Sequence, residues 1–300
     1  MIPKIKYLCN KIKYNITVEF FNFLYAFHPK QKISPKIVSI DETINKIIKD
    51  KCSVSRFGDG EILLTNQNSI GFQKGNPLLS KQLIKVIQSN NNKHLVCISD
   101  VFGGLERYNR RARRFWRAHF YLFGSLWDKY LLKEKVYYNT FMTRPYMDFK
   151  SKAESMHWFK HLKEIWNDRN IVFIEGEKSR LGVGNDLFDN ARSIKRILCP
   201  PTNAFDKYDQ ILNYALKLDK EVLILIALGP TATVLAYDLF LNGYQAVDIG
   251  HVDIEYEWCI MNASHKVAIP YKFVNEQPGG DNVAVVCEQD YFNQIICKIE

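Results

Sequence analysis

From about Lys93 onward, short apolar runs alternate with longer amphipathic segments, the pattern of an α/β fold on a largely parallel sheet. The strand candidates are Cys52–Ser55, His94–Ser99, Val136–Phe141, Ile171–Glu175, Ile194–Leu198, Val222–Leu228 and Ala246–Ile249. Ile171-Val172-Phe173-Ile174 and Val222-Leu223-Ile224-Leu225-Ile226 are continuous rather than alternating, as strands covered on both faces should be. Helical spacing is clearest over Ser151–Asn167, Ala204–Leu218 and Thr231–Asn242, the last followed by Gly243 in a helix-stopping position. There is no internal repeat and no low-complexity tract. The expected architecture is a Rossmann-like, mostly parallel sheet flanked by helices over residues 35–300, preceded by a helical extension over residues 1–34.

Composition adds a charge and a compartment. The 300 residues are 47% hydrophobic and 24% charged, enough for a proper core and too apolar for disorder. The seven cysteines stand singly with no Cys-x-x-Cys pair, which argues against a disulfide framework or a zinc cluster and points to the cytoplasm. No signal peptide is visible, and no apolar window approaches the roughly 18 residues of a spanning helix. The net charge of +9 suggests an anionic partner: nucleic acid, acidic lipid or a phosphorylated substrate. Residues 1–34 hold six lysines against Glu19 alone, a net +5, around the aromatic run Ile16–Phe27. Such a helix either lies on an anionic membrane surface or packs on the domain with its lysines in water. A second basic cluster, Arg107, Arg110, Arg111, Arg113, Arg114 and Arg117, spreads over more than one helical face and accompanies no nucleic-acid module. Nucleic acid is therefore not an expected partner.

The chemistry begins at Arg56-Phe57-Gly58-Asp59-Gly60-Glu61, directly after the first strand candidate. On an extended or loop backbone Asp59 and Glu61 project to one side and can share a cation, whereas on a helix they diverge by about 200°. Their hard oxygens suit Mg²⁺ or Mn²⁺, ions that take further ligands from a substrate phosphate. The same triplet also describes a solvated turn. After Ile171–Glu175 comes a glycine-rich connection in which Lys178, Arg180 and the amides near Gly182, Gly184 and Asn185 suit a phosphate, leading into a helix expected near Asn185 or Asp186. Its spacing matches neither the dinucleotide fingerprint nor the Walker loop. After Val222–Leu228, Gly229-Pro230-Thr231 opens a helix whose first turn suits an anion or a ribose, or else simple close packing. Beyond the last strand candidate, His251–Trp258 alternates: if extended, Asp253, Glu255 and Glu257 share one face, and such crowding raises a carboxylate toward the range of a useful base. A polar edge face is the plainer reading of that run.

Five ordered motifs, Arg56–Glu61, Thr143–Asp148, Glu175–Phe188, Ala227–Ala232 and Gly250–Trp258, together resemble the GT-D-type glycosyltransferases over about residues 40–275. The resemblance implies a metal-dependent transferase using a nucleotide-sugar donor, typically UDP-glucose, in bacterial surface polysaccharide or glycoprotein synthesis. It implies that Asp59 and Glu61 hold the metal and that Arg56 binds the diphosphate, with Lys178, Arg180 and Arg144 completing the anion site. It further implies a base from the last motif, Glu255 or Glu257, with Asp253 or His251 orienting the sugar. The acceptor expected is a glycan or a lipid-linked glycan, met in the cytoplasm or at the inner face of the cell membrane; oligomerisation is left open. A phosphohydrolase using the same carboxylates, or a basic membrane- or nucleic-acid-binding module, is the alternative.

Overall fold

The computed structural model describes residues 16–27, 32–274, 276, 280, 283–284 and 289–300. Its centre is a nine-stranded sheet in the order β1-β4-β3-β2-β8-β7-β5-β6-β9, with every pairing parallel. The strands are β1 (Lys36–Ile37), β2 (Ser53–Phe57), β3 (His94–Ile98), β4 (Val136–Asn139), β5 (Asn170–Gly176), β6 (Ser193–Cys199), β7 (Leu223–Ala227), β8 (Gln245–Asp248) and β9 (Ile295–Lys298). β2 to β8 fall where the apolar runs place them. The two short outer strands, β1 and β9, carry too little pattern to be read. Leu223 to Ile226 and Ile171 to Ile174 are buried on both faces, which explains their unbroken apolar sequence.

The helices are α1 (16–27), α2 (Ile40–Asp50), α3 (Asp59–Leu64), α4 (Pro77–Gln88), α5 (Arg110–Tyr130), α6 (Ser155–Trp166), α7 (Tyr208–Ala215), α8 (Pro230–Leu241), α9 (Val252–Ile260) and α10 (Gln289–Asn293). Their starts follow local chemistry. Ser39 and Glu42 cap α2 reciprocally, and Asn109 accepts from the Ala112 amide to start α5. α6 and α8 lie where helical spacing places them, and the expected Ala204–Leu218 helix is divided into a 3-10 turn (Ala204–Lys207) and α7.

Three local expectations are corrected. Asp59 and Glu61 do not sit on a loop but in the first turn of α3. No helix follows Asn185: residues 181–190 form successive turns. The run after His251 is the helix α9, not an extended strand.

The strand order reverses where β2 meets β8, since β2 is followed outward by β3 and β4 while β8 continues the β5–β7 half. At such a switch point the loops leaving adjacent strands part to opposite sides and open a crevice at the carboxyl ends. The segments leaving β2 and β8 are those that carry Gly58–Glu61 and Gly250–Glu257.

Candidate active site

Arg56 joins the two halves of the crevice. It leaves the end of β2 and donates through Nε to the Asp248 carbonyl (2.9 Å) and through Nε and Nη2 to Asp248 Oδ1 (3.0 and 2.8 Å), two charge-assisted bonds converging on one carboxylate oxygen. Its Nη1 reaches Thr143 Oγ1 at 2.8 Å. The guanidinium fits only because residue 250 is glycine: a Cβ there would lie 1.7 Å from Nη2, and φ is +43°.

Asp59 and Glu61 follow within one turn, but helical geometry turns them apart. Glu61 Oε2 accepts from the Gly58 amide at 2.8 Å, capping its own helix and leaving Oε1 for other ligands. Burial pushes Glu61 up to about 7, with the Asp248 charge adding to the rise and the Gly58 amide opposing it. Asp59 is also raised by burial, against the pull of Arg144, and its charged neighbours are Arg144, Glu276 and Lys266. Among the described residues, the one group of three such ligand atoms within 4.8 Å of one another includes neither Asp59 nor Glu61. The helical backbone removes the one-sided projection expected of a loop, so what fits a hard ion is the burial that raises both carboxylates, a condition a cation relieves, with water and a diphosphate left to supply most of its ligands.

Arg144 stands between carboxylates. Its Nη2 donates to Glu276 Oε1 at 2.7 Å, and its Nε lies 3.8 Å from Glu255 Oε1. Lys266 contacts the other Glu276 oxygen. Burial would raise Glu276, yet Arg144 and Lys266 hold it well below the usual carboxylate range.

The acidic run is divided by α9. Asp253 and Glu257, four residues apart, share one face, while Glu255 points away from both. Lys272 reaches Asp253 Oδ2 at 2.7 Å and Glu257 Oε1 at 2.8 Å, all three side chains being buried. Asp253 Oδ1 takes the Gly182 amide (3.0 Å) and Asn185 Nδ2 (2.8 Å), which also reaches Glu257 Oε1 at 2.7 Å. This face of the helix therefore holds the glycine-rich loop. The loop is held from the sheet side too: Glu175 accepts from the Leu181 amide at 2.8 Å and pairs with Arg196, which donates to the Leu181 carbonyl.

Glu255 meets different company. Its Oε2 accepts the backbone amides of Tyr146 (3.0 Å) and Met147 (2.7 Å), while Oε1 is buried and has no hydrogen-bond partner among the described residues. Burial pushes its carboxyl up to about 7; the Arg144 charge opposes this and Asp148 adds to it. An acid with one spare oxygen and a value near neutrality is suited to proton transfer.

The remaining sequence candidates take diverse places. Arg180 donates through Nη1 to the carbonyls of Tyr271 (3.0 Å) and Ala284 (2.6 Å), so it ties a neighbouring segment. Lys178 is exposed, and its carbonyl accepts from the Phe273 amide. The Gly182 amide serves Asp253, and Gly184 is exposed. Gly229 lies against Phe72, where a Cβ would come within 2.6 Å of the ring, and the Thr231 hydroxyl is buried without a hydrogen-bond partner among the described residues. His251 precedes α9 and lies near enough to Glu276 to help lower it. Asp248, Lys266, Lys272 and Glu276 were not legible as site residues. Asp248 had one signal, an acid at the end of a strand; the other three come from a downstream segment without a motif.

The family model of the glycosyltransferase GT-D fold matches residues 54–277. The chain is 43% identical over 265 residues to the probable glycosyl transferase Gly of Streptococcus gordonii, covering 88% of this chain and 39% of that protein. It is 38% identical over 265 residues to the glycosyltransferase GlyD of Streptococcus pneumoniae serotype 4, covering 88% of this chain and 32% of that protein. The chain thus spans less than two-fifths of the length of these relatives. A solved structure described as the highly conserved domain of unknown function 1792 with a distinct glycosyltransferase fold superposes with a TM-score of 0.86 at 40% identity, covering 95% of this chain and 99% of that one. A glycosyltransferase of the same domain type from Streptococcus sanguinis also gives 0.86 at 40% identity, covering 89% of this chain and all of that one.

Proposed function

The chain belongs to the GT-D-fold glycosyltransferases, and from that premise we propose that it moves a hexose, glucose foremost, from a UDP-sugar to a glycan or lipid-linked glycan acceptor in surface polysaccharide or glycoprotein synthesis. The observation that carries the reading is the crevice between β2 and β8, where Arg56, Asp59, Glu61, Arg144 and Glu255 come together from three separate motifs.

Asp59 and Glu61 would hold Mn²⁺ or Mg²⁺, and the bound ion supplies stabilisation of charge on the departing diphosphate. Arg144 shares that work as a fixed cation. A diphosphate competes with Glu276 and Glu255 for the Arg144 guanidinium, so donor binding loosens the contact that covers Glu255 Oε1. Glu255 then takes the acceptor hydroxyl's proton, as an inverting transfer requires. Asp253 and Glu257 act indirectly: they keep the Gly182–Asn185 loop in place by accepting from the Gly182 amide and the Asn185 side chain, and Lys272 offsets their charge.

A panel of nucleotide sugars with Mn²⁺ or Mg²⁺, scored for transfer and for thermal stabilisation, tests this reading. UDP-hexoses should respond and Asp59→Ala should abolish both signals; turnover that persists in a chelator refutes the metal role. Cleavage of the donor to sugar 1-phosphate and UMP at the same rate with and without acceptor favours the phosphohydrolase alternative.

The proposed place of work rests on α1. Phe21 stacks on Tyr121 and Glu19 pairs with Arg114, anchoring one face to α5, while Ile16, Phe20, Phe23 and Phe27 form an exposed stripe spaced four, three and four residues apart. With the lysines flanking it, this stripe suits peripheral docking at the cytoplasmic face of an anionic membrane. No helix among the described residues is long and apolar enough to cross one. Sedimentation with anionic vesicles that is unchanged by Phe20→Ser and Phe23→Ser would remove this part of the reading.

A further inference from the structure

Two helices that carry none of the crevice residues bring three metal-ligating groups to one point. Asp41 lies in the first turn of α2, and His157 and His161 lie four residues apart on α6, hence on one face of it. His157 Nε2 is 3.0 Å and His161 Nδ1 3.3 Å from the same oxygen, Asp41 Oδ1, and the three candidate ligand atoms all lie within 4.8 Å of one another.

We propose that Asp41, His157 and His161 form a binding site for a divalent transition metal of the zinc class, pinning α6 to α2. The spacing fits. Ligands about 2.0–2.1 Å from a tetrahedral ion stand roughly 3.3 Å apart, close to the 3.0 and 3.3 Å that separate Asp41 Oδ1 from the two imidazole nitrogens, and the imidazole atoms lie within 4.8 Å of each other. Two imidazoles and one carboxylate are a borderline-soft set, suited to Zn²⁺ and its neighbours rather than to the Mg²⁺ or Mn²⁺ expected in the crevice.

The surroundings orient the ligands as metal sites require. Trp158 Nε1 donates to the other Asp41 oxygen at 3.1 Å, which fixes the carboxylate. Asn45 Oδ1 faces His161 Nε2 at 3.1 Å. A neutral imidazole that gives its Nε2 proton to Asn45 presents a lone pair at Nδ1, directly opposite an Asp41 oxygen. Two lone pairs facing each other are resolved by a cation between them. Asp41 and Trp158 also line a cavity of about 360 Å³ with Ser39, Asn139, Arg107 and Lys150, so the ion sits at its rim, where water or a small ligand can complete the coordination.

The test uses the untagged full chain, stripped with a chelator and titrated with zinc chloride by calorimetry, with metal content measured after gel filtration. One equivalent should bind to the parent protein and to the Asp59→Ala/Glu61→Ala variant, and affinity should fall at least tenfold in His157→Ala or His161→Ala. Cobalt(II) should produce visible absorption bands in the parent protein that His161→Ala removes. Circular dichroism checks that both histidine variants are folded. Failure to retain zinc, or equal binding by the His157→Ala/His161→Ala double variant, overturns the site; neither result bears on sugar transfer, which is read from the donor panel.

Discussion

The two faces of α9 carry the same side-chain chemistry and opposite electrostatics. On one face Asp253 and Glu257 share the Lys272 ammonium at 2.7 and 2.8 Å and accept from Asn185 and the Gly182 amide, so both charges lie against a buried cation. On the other, Glu255 has two backbone amides on one oxygen, and its second oxygen is 3.8 Å from a guanidinium already engaged by Glu276. A carboxylate held against a buried cation serves structure, because moving its charge or proton costs the whole network. One with an unfilled oxygen and a value near 7 keeps its proton exchange accessible at physiological pH. The comparison separates burial from pairing: both faces are buried, and what distinguishes Glu255 is that its nearest cation stands 3.8 Å away and is engaged by Glu276.

The sharpest way to break the comparison is to remove one carboxylate from each face. Glu255→Gln should lower transfer by about 10²- to 10⁴-fold, the usual worth of general-base catalysis, while UDP binding and folding persist. Glu257→Gln should keep transfer within about tenfold, since its role runs through the loop. Steady-state rates with a saturating donor decide between them; a reversed order of effects would move the base to the paired face.

Next in size is the cation. Lys272→Met strands two buried carboxylates and should destabilise the fold by about 3–5 kcal/mol, seen as a lower midpoint in urea. Arg144→Met leaves Glu255 with both amides, and its main cost should fall on donor affinity instead. Equal midpoints for the parent and Lys272→Met would show that the paired face is not a structural clamp.

The smallest effect is in pH. Glu255 has its folded-state value raised to about 7 from an ordinary 4.5, so the folded chain holds this proton more tightly than the unfolded one. The stability it contributes is complete below pH 4.5 and is lost as pH rises through about 7, on the order of 3 kcal/mol at most. Arg144, Lys266 and Asp148 are the charges acting on it, and Glu61 adds a second slope in the same window. Glu255→Gln should flatten this dependence in thermal melts between pH 5 and 8. Transfer should run the other way, rising through about pH 7 as the base loses its proton; parallel profiles for stability and rate would contradict the assignment.

The strands were legible because the sheet is parallel and covered on both faces: β5 and β7 must be apolar without interruption, and no other element of that length demands it. The start of α8 was legible too, from Gly229-Pro230 and the strand before it. The acidic run misled for a definite reason. Val252 to Cys259 are all buried, so α9 has no solvent face to impose a 3.6-residue period, and its alternation of acids and apolar residues imitates a strand. Cys52, Cys97, Cys199, Cys259 and Cys297 carry free thiols, and Cys9 and Cys287 lie outside the described residues.

The sequence by itself determined the parallel sheet, the carboxyl-end loops and the family, because those depend on local pattern and on motifs that survive in order. The tertiary structure decided which carboxylates are paired. Lys272 and Glu276 reach α9 and Arg144 from a segment with no motif, and Asp41 meets His157 and His161 across 116 and 120 positions of chain. Pairing is a matter of distances of about 3 Å, and only the packing of α9, α6 and the crevice loops against the sheet sets distances of that kind.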